Sequence, residues 1–384
     1  MKKIALLGFG VVGRGVYDII AKRDDLEVAR VLVRRQIPEI AAIATADIHD
    51  IVSDPSIDTV VEVMGGVHPA YEYIAAALRA GKNVVTANKA VISACYRELT
   101  ALAAENGVAL RCTAAVGGGI PWLINLERCC RIDTVTEVSG IMNGTTNYIM
   151  DAMHRAPVAF ADILKKAQEL GYAEADPSAD IDGDDIRRKL TISANIAFGA
   201  LLREEDIPMF GIRTVTDGDI ATFQSEGYVC KLIATARRTE GGVAAWLEPT
   251  LVDSHALEAA VPANYNLISF QSEYLGRQSY YGQGAGRYPT ASNVVQDCVD
   301  ILGGKKAFYA EKATPMQPDN SGVVHPYYVR CAVTDRWLDS VAEKTMGDGV
   351  VTAPVSVETM LTWAREKLAE DPTLFICKLD SITL

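Results

Sequence analysis

The chain opens with a glycine-rich turn between a short apolar run and a helical segment. Residues 4–7 are apolar, the turn Gly8-Phe9-Gly10-Val11-Val12-Gly13 follows, and residues 11–22 continue at helical spacing. Glycines in this order permit a tight turn and let the backbone approach a pyrophosphate at a helix N-terminus. We therefore predict dinucleotide binding by Gly8, Gly10, Val11, Val12 and Gly13. The alternative is a purely structural glycine turn.

Strand-like and helix-like segments alternate after this turn. Strands are expected at residues 28–33, 59–63, 83–86 and 108–112, with helices at residues 69–80 and 93–106. Such alternation predicts a Rossmann-type, doubly wound α/β domain with a parallel sheet. Ligands of such sheets bind at the carboxyl ends of the strands, and Lys89 follows one such end.

Two arginines follow the second predicted strand. About 20 residues beyond the glycine turn, an NAD site usually offers a carboxylate to the ribose hydroxyls. This chain has Arg34-Arg35 instead, and guanidinium groups pair with a 2′-phosphate. We therefore predict NADP as the preferred cofactor, with NAD as the alternative if these arginines are only solvated loop cations.

The bulk composition limits the class of protein. The 384 residues are 49% hydrophobic and 22% charged, with a formal net charge of −12, which argues against nucleic-acid binding because a phosphate backbone attracts basic surfaces. No apolar run is long enough to span a membrane. The eight cysteines lack C-x-x-C spacing, so we expect free thiols in a reducing cytoplasm. The five histidines form no metal-like cluster, which makes a catalytic zinc unfavourable.

An unusually acidic segment lies at residues 167–189, AQELGYAEADPSADIDGDDIRRK. A helix is predicted from about residue 182 to residue 202. Asp185 and Lys189 are four positions apart and share one face of this helix. Such a pair is often an ordinary solvated ion pair, and that interpretation remains the alternative.

The loop that precedes this helix carries further carboxylates. Gly171 ends an amphipathic helix at residues 160–170, and Glu174 and Asp180 follow in the loop. A loop of carboxylates leading to a lysine is typical of a site for a substrate that bears an ammonium group.

The acidic segment resembles that of homoserine dehydrogenases. Positions at the family's spacing are Ala167, Gly171-Tyr172-Ala173, Asp176-Pro177, Asp180-Ile181, Gly183, Asp185 and Lys189. The likeness extends to about residue 302 through GFGVVG, VVEVMGG, VVTANK, VGGGIP, GIMNGTTNYI and GQGAGRYPTASNVV. It implies an NAD(P)-dependent enzyme of threonine and methionine biosynthesis that reversibly reduces aspartate 4-semialdehyde to homoserine.

The resemblance also implies roles for individual residues. Lys189, alone or together with Lys89, would supply the proton, and Asp185 would orient the substrate and Lys189. Lys89 would also lie next to the nicotinamide. The implied substrate contacts are Glu174, Asp180, Gly144 and Thr145. Gly171 and Gly286 are the further implied cofactor contacts.

A monovalent cation belongs to the family pattern. The backbone carbonyls that would hold a sodium or potassium ion match Val116, Gly118 and Ile120. Thr113 stands where the family has a glutamate, so a water or a weaker ion could take the cation's place.

Three domains are expected. A nucleotide-binding domain at residues 1–130 would be completed by a helix at residues 290–303, and a catalytic and dimerisation domain with a mixed sheet would occupy residues 131–289. Its strands are expected at residues 132–142, 231–236, 244–251 and 267–270. The family resemblance implies a homodimer or a homotetramer.

The third predicted domain is a small C-terminal module at residues 313–384. Its expected order is strand 327–333, helix 338–344, strand 350–355, helix 357–369 and strand 374–378. This order is weakly similar to an ACT regulatory module, but Arg336-Trp337 stand where such modules usually have Pro-Gly. A capping or oligomerisation role is therefore favoured over effector binding.

Two other functions remain open at this point. One is a different amino-acid oxidoreductase, such as an aspartate dehydrogenase, that shares only the nucleotide domain. The other is a non-catalytic NADP-binding sensor. The set Glu174, Asp185, Lys189 and Lys89 argues against the sensor, because a sensor has no need of a paired proton-transfer lysine. The signature at residues 167–189 separates the chain from an aspartate dehydrogenase.

Overall fold

Two large β-sheets organise the computed structural model, which describes residues 1–305 and 314–380. The strands are β1 (Lys2–Leu7), β2 (Leu26–Leu32), β3 (Ala44–Thr45), β4 (Ile57–Glu62), β5 (Asn83–Thr86), β6 (Leu110–Arg111), β7 (Val135–Ile141), β8 (Ala200–Leu201), β9 (Tyr228–Thr239), β10 (Gly242–Asp253), β11 (Tyr265–Ser272), β12 (Gly276–Gln283), β13 (Thr314–Pro315), β14 (Val324–His325), β15 (Tyr327–Arg330), β16 (Ala342–Met346), β17 (Gly349–Thr352), β18 (Val355–Ser356) and β19 (Phe375–Leu379).

Helices connect most of these strands. They are α1 (Val11–Ile20), α2 (His49–Val52), α3 (Ala70–Arg79), α4 (Lys89–Glu105), α5 (Trp122–Cys130), α6 (Gly144–Arg155), α7 (Phe160–Glu169), α8 (Ser178–Ile181), α9 (Asp184–Phe198), α10 (Asp217–Ser225), α11 (Arg287–Leu302), α12 (Arg336–Val341) and α13 (Val357–Lys367), with single 3-10 turns at Pro38–Ile40, Thr113–Ala115 and Glu204–Asp206. Among the described helices, none combines the length and the apolar character that a membrane crossing requires.

The first of two units contains the nucleotide-binding segments. It comprises Met1–Thr134, Thr191–Arg203 and Gly282–Pro315. Its six-stranded sheet has the order β3-β2-β1-β4-β5-β6, and the paired strands are parallel. This is the strand order of a Rossmann domain. The predicted doubly wound α/β fold is confirmed.

A buried charge network fixes α11 to β6 in this unit. The Arg111 guanidinium contacts Asp297 Oδ1 at 3.0 Å and Asp300 Oδ2 at 2.9 Å. Thr113 donates to the Asp297 carboxylate through its N–H and its hydroxyl. Burial raises the pKa of Asp297, so the arginine is needed to keep this carboxylate charged.

The second unit contains the acidic segment. It comprises Val135–Leu190, Glu204–Tyr281 and Met316–Leu384, described as far as residue 380. Its nine-stranded sheet has the order β12-β11-β7-β9-β10-β19-β15-β17-β16, so the predicted mixed sheet is confirmed. The segments 231–236 and 244–251 belong to one long antiparallel hairpin of β9 and β10, and β12 was not predicted.

The C-terminal residues continue this second sheet. β19 pairs in parallel with β10 through Thr250 and Lys378. Apart from the two-residue β18, which pairs with β14, the order β15-α12-β16-β17-α13-β19 is that of a ferredoxin-like unit. Residue 313 and residues 381–384 of the predicted module lie outside the described residues.

One predicted helix of this region is wrong in part. Residues 338–344 were expected to be helical, but α12 ends at Val341 and residues 342–346 form β16. β16 pairs antiparallel with β17 across a turn in which Gly347 has φ +55. Pairing with a neighbouring strand here overrides the local helical spacing.

Candidate active site

The turn between β1 and α1 contains three glycines, and of these only Gly10 has open space beside it for a ligand. Gly8 has φ +100, and a Cβ at Gly13 would lie 2.4 Å from the Gly8 carbonyl oxygen. A Cβ at Gly10 would meet nothing within 4 Å. Gly8 and Gly13 therefore shape the turn, while Gly10 faces the open space that a pyrophosphate would need.

The N-terminus of α1 suits an anion. Gly10 precedes the helix without a side-chain cap, and Val11, its first residue, is 66% exposed. Uncapped N–H groups and the helix dipole attract phosphate. The residues present therefore fit the pyrophosphate of a dinucleotide.

Arg34 and Arg35 follow the carboxyl end of β2, the strand beside β1. Both side chains are exposed. Within residues 1–305 and 314–380 neither arginine forms an ion pair. By contrast, Arg14 of α1 is paired with Glu39 and lies over the ring of Phe9. The two arginines are thus available to an anionic group of a ligand.

A buried carboxylate organises the ends of the next two strands. Glu62 accepts hydrogen bonds from the Thr86 hydroxyl at 2.6 Å and from the Met64 N–H at 2.7 Å. Glu62 Oε1 also accepts hydrogen bonds from the Gly65 N–H at 3.3 Å and from the Asn88 side-chain amide at 3.3 Å. Burial raises the pKa of Glu62. Sequence reasoning missed this residue, although its place at the end of a predicted strand was a usable signal.

Lys89 is the first residue of α4. The Asn88 side chain caps this helix by accepting from the Val91 N–H, and its amide donates to the Gly66 carbonyl at 2.7 Å. Lys89 itself is half-buried. The network that starts at Glu62 therefore fixes the backbone from which Lys89 extends.

The predicted pair on α9 is buried rather than solvated. Lys189 Nζ lies 2.8 Å from Asp185 Oδ2 and donates to the Met142 carbonyl at 2.6 Å. Both residues are 7% exposed. A buried lysine with a carboxylate and a carbonyl within hydrogen-bond distance is held in a fixed position, as proton transfer requires.

Asn143 joins this pair to Asp180. Its amide nitrogen donates to Asp180 Oδ1 at 2.7 Å and to Asp185 Oδ2 at 2.8 Å, while its oxygen caps α6 through the Thr146 N–H. Burial, followed by the charge of Asp185, raises the pKa of Asp180. Sequence reasoning missed Asn143, although an asparagine directly before a helical segment is a typical N-cap.

The remaining predicted substrate residues differ in their surroundings. Thr145 is buried and donates to the Tyr172 carbonyl at 2.6 Å, and a Cβ at Gly144 would lie 2.7 Å from the Asn264 carbonyl oxygen. The side chain of Glu174 is exposed, and its backbone carbonyl accepts a hydrogen bond from the Gln168 side chain at 3.0 Å. The structure thus brings Asp180, Asp185 and Lys189 together around Asn143, with Glu174 at the surface.

The two further glycines assigned to the cofactor lie at helix ends in different units. Gly171 has φ +75 just after α7 in the second unit. Gly286 has φ +130 directly before α11 in the first unit.

Two backbone carbonyl oxygens of the loop at residues 116–120 accept hydrogen bonds from the side chain of Asn293. The amide nitrogen of Asn293 donates to Gly118 O at 2.6 Å and to Ile120 O at 3.0 Å. These are two of the three oxygens that the family resemblance assigns to a cation, the third being that of Val116. Thr113 is turned to the Asp297 carboxylate.

A Rossmann sheet with an open glycine turn, together with a buried lysine–aspartate pair, defines an NAD(P)-dependent oxidoreductase. Residues 8–113 match the family model described as homoserine dehydrogenase, NAD binding domain, and residues 121–299 match the model described as homoserine dehydrogenase. The chain belongs to the homoserine dehydrogenase family.

Curated relatives and solved structures agree with this assignment. Homoserine dehydrogenase of Bacillus subtilis (strain 168) is 38% identical over 78% of this chain and 72% of its own length. That of Lactococcus lactis is 38% identical over 86% and 83%. The crystal structure of a homoserine dehydrogenase from Thiobacillus denitrificans is 31% identical, with a TM-score of 0.85 and 98% of each chain covered. The predicted family and activity are confirmed, and the sensor and aspartate dehydrogenase alternatives are not favoured.

Proposed function

We propose that this homoserine dehydrogenase reversibly reduces L-aspartate 4-semialdehyde to L-homoserine with Lys189 as the proton donor. The observation that carries the proposal is the buried contact of Lys189 with Asp185 and the Met142 carbonyl. A lysine held in this way keeps its ammonium group in a fixed position, and burial excludes the water that would compete with it for the proton.

The chemistry divides between the cofactor and the side chains. When it is bound, the nicotinamide supplies a hydride to the aldehyde carbon, and the aldehyde oxygen gains the electron pair of its former π bond. Lys189 Nζ gives its proton to that oxygen, which completes the hydroxyl of homoserine. In the reverse direction the neutral Lys189 takes the proton back. Asp185 orients both the Lys189 ammonium and the substrate hydroxyl. Lys89 would help to hold the nicotinamide and would add positive charge there.

The carboxylates suit the substrate ammonium. Asp180 and Asp185 share the Asn143 amide, and the raised pKa of Asp180 reflects burial and a neighbouring negative charge. A substrate ammonium would relieve this repulsion. Glu174, exposed in the loop, is proposed as a second partner for it. The backbone at Gly144 and Thr145, at the N-terminus of α6, is proposed to hold the substrate carboxylate, because a helix N-terminus favours an anion.

Replacement of Lys189 tests the proton donor. Lys189→Ala should lower kcat for homoserine oxidation by about 10²- to 10⁴-fold, since a positioned acid or base contributes that much. Lys165→Ala, at an exposed lysine of α7, is the matched control and should keep wild-type kcat. Thermal unfolding of each variant distinguishes loss of chemistry from loss of folding. A Lys189→Ala variant that folds and retains its kcat rules out this donor.

NADP is the proposed preferred cofactor. The support is the exposed, unpaired state of Arg34 and Arg35 beyond β2 among the described residues. Replacing both by alanine should raise KM for NADP about tenfold or more while leaving KM for NAD nearly unchanged, because only NADP carries the 2′-phosphate. Lys22→Ala, at an exposed lysine beyond α1, is the control. Equal effects on the two cofactors would contradict the assignment.

Four further predictions remain part of the proposal. The protein is expected to act in the cytoplasm, as a homodimer or a homotetramer. The domain limits 1–130, 131–289 and 313–384 are retained as a functional division. The C-terminal module is proposed to cap the second sheet, since β19 pairs with β10 at its centre.

A further inference from the structure

The loop at residues 116–120 is packed between two segments of the first unit, residues 283–284 and helix α11. Gly119 N–H donates to the Gln283 carbonyl at 3.1 Å, and a Cβ at Gly118 would lie 2.5 Å from the Gly284 carbonyl oxygen. From the side of α11, Asn293 donates its amide to Gly118 O and Ile120 O. Asn293 is 8% exposed, so these hydrogen bonds lie away from solvent.

A cation ligated by Gly118 O and Ile120 O would compete with this amide for the same space. The nitrogen of Asn293 lies 2.6 Å from one oxygen and 3.0 Å from the other. Its N–H groups carry partial positive charge, so they satisfy the two carbonyls and also repel a cation. Displacing the amide would leave a buried donor without a partner, which is unfavourable because the desolvation of that donor would no longer be compensated.

The position at which the family resemblance implies a glutamate ligand for the cation holds no carboxylate in this chain. Thr113 occupies it, and its N–H and hydroxyl both donate to Asp297, at 2.8 and 2.7 Å. Asp297 is in turn paired with Arg111 at 3.0 Å. The buried carboxylate next to Thr113 is therefore already neutralised by a guanidinium, and it adds little attraction for a second cation.

We propose that the amide of Asn293 takes the place of a monovalent cation in this chain, so that the loop at residues 116–120 keeps its conformation without sodium or potassium. Asn293 is a positioning residue: it acts through the backbone of the loop and not on the substrate. The residues present thus do not fit the ion that the family resemblance implies, and no step of the reaction depends on one.

The first test uses the unmodified protein. Its thermal unfolding midpoint and its kcat for homoserine oxidation are measured in sodium, potassium and choline chloride at one ionic strength, and sodium binding is followed by sodium NMR relaxation. The proposal predicts equal midpoints, equal kcat and no saturable sodium binding. A saturable response to sodium or potassium, compared with choline, would overturn it.

The second test changes the amide with little change of shape. Asn293→Asp replaces the donor by a carboxylate facing two carbonyl oxygens, which creates a demand for a cation. Its unfolding midpoint should rise by several degrees in sodium or potassium relative to choline, because an ion that binds only the folded state stabilises it. Ser292→Asp, at the exposed neighbouring position of α11, is the matched control and should show no such response. Identical salt responses in the two variants would also reject the proposal.

Discussion

A single buried amide, that of Asn143, connects the two carboxylates Asp180 and Asp185 to the helix that follows it. Its nitrogen bonds both carboxylates, and its oxygen caps α6. Because the same residue fixes a helix start and a charged cluster, the position of Lys189 depends on backbone as well as on side-chain contacts. The proposed proton donor is thus held by the fold and not by one ion pair.

Another buried carboxylate lies outside this site. Glu248 of β10 is fully buried, and its Oε2 has no hydrogen-bond partner among the described residues. Burial raises its pKa from 4.5 to about 7. Since the folded pKa exceeds the unfolded one, the protein is most stable where the carboxyl is protonated. Stability from this group is lost as pH rises from about 4.5 to about 7.

The Glu248→Gln variant tests this pH dependence. It should unfold with a free energy higher than wild type by up to about 3 kcal/mol above the folded pKa, and with little difference at about pH 4, since one pKa unit corresponds to about 1.4 kcal/mol. Urea unfolding at the two pH values measures this. The control is Glu240→Gln, at an exposed residue of the same hairpin. A pH-independent difference between wild type and Glu248→Gln would contradict the assignment.

At the level of single residues, the sequence allowed the site to be predicted where chemistry is local. Asp185 and Lys189 share a helix face, so spacing alone brought them together. Asn143 is 42 positions from Asp185 and meets it only through the tertiary fold. The exposure of Glu174 and the contact of Asn293 with Gly118 likewise depend on packing, which no local pattern encodes.

At the level of elements, prediction succeeded where one periodicity dominates. The parallel strands β4 and β5 each carry a fully buried valine pair, Val60-Val61 and Val84-Val85, and each is followed by a helix, so the alternation of strands and helices could be predicted. Prediction failed at residues 342–346, because the strand β16 is exposed along most of its length and is defined by its pairing with β17. β12 was missed for the same reason, since it alternates only between half-buried and exposed side chains.

Two glycines in the connection between β1 and α1 allow effects on protein stability to be separated from effects on cofactor binding. Gly13→Ala should lower the unfolding midpoint by several degrees, because its Cβ would lie 2.4 Å from the Gly8 oxygen. Gly10→Ala should unfold like wild type, since its Cβ meets nothing within 4 Å, yet bind the dinucleotide more weakly because the methyl group would occupy the pyrophosphate's space. Calorimetry and titration with NADP measure the two effects.

The control for this pair is Gly241→Ala in the β9–β10 turn, where a Cβ also meets nothing within 4 Å. It should leave both folding and cofactor binding unchanged. Normal cofactor affinity in Gly10→Ala would mean that the dinucleotide does not approach this turn.

At the level of the whole molecule, two units with separate sheets carry separate tasks. The first holds the glycine turn and the amide-held loop, and the second holds the lysine and the carboxylates. The C-terminal residues add four strands to the second sheet, with β19 beside β10. A C-terminal module was predictable from its strand and helix order. The pairing of this module with the neighbouring sheet, through β19 and β10, could not be predicted, because no local sequence pattern specifies which strand a sheet edge will pair with.

The most direct measurement of the central claim is a crystal structure of the protein with homoserine bound. The account predicts that Lys189 Nζ lies within about 3.2 Å of the substrate hydroxyl oxygen, the reach of a positioned proton donor, with Asp185 in contact with both. A substrate hydroxyl held by other groups, with Lys189 Nζ directed away from it, would contradict the account.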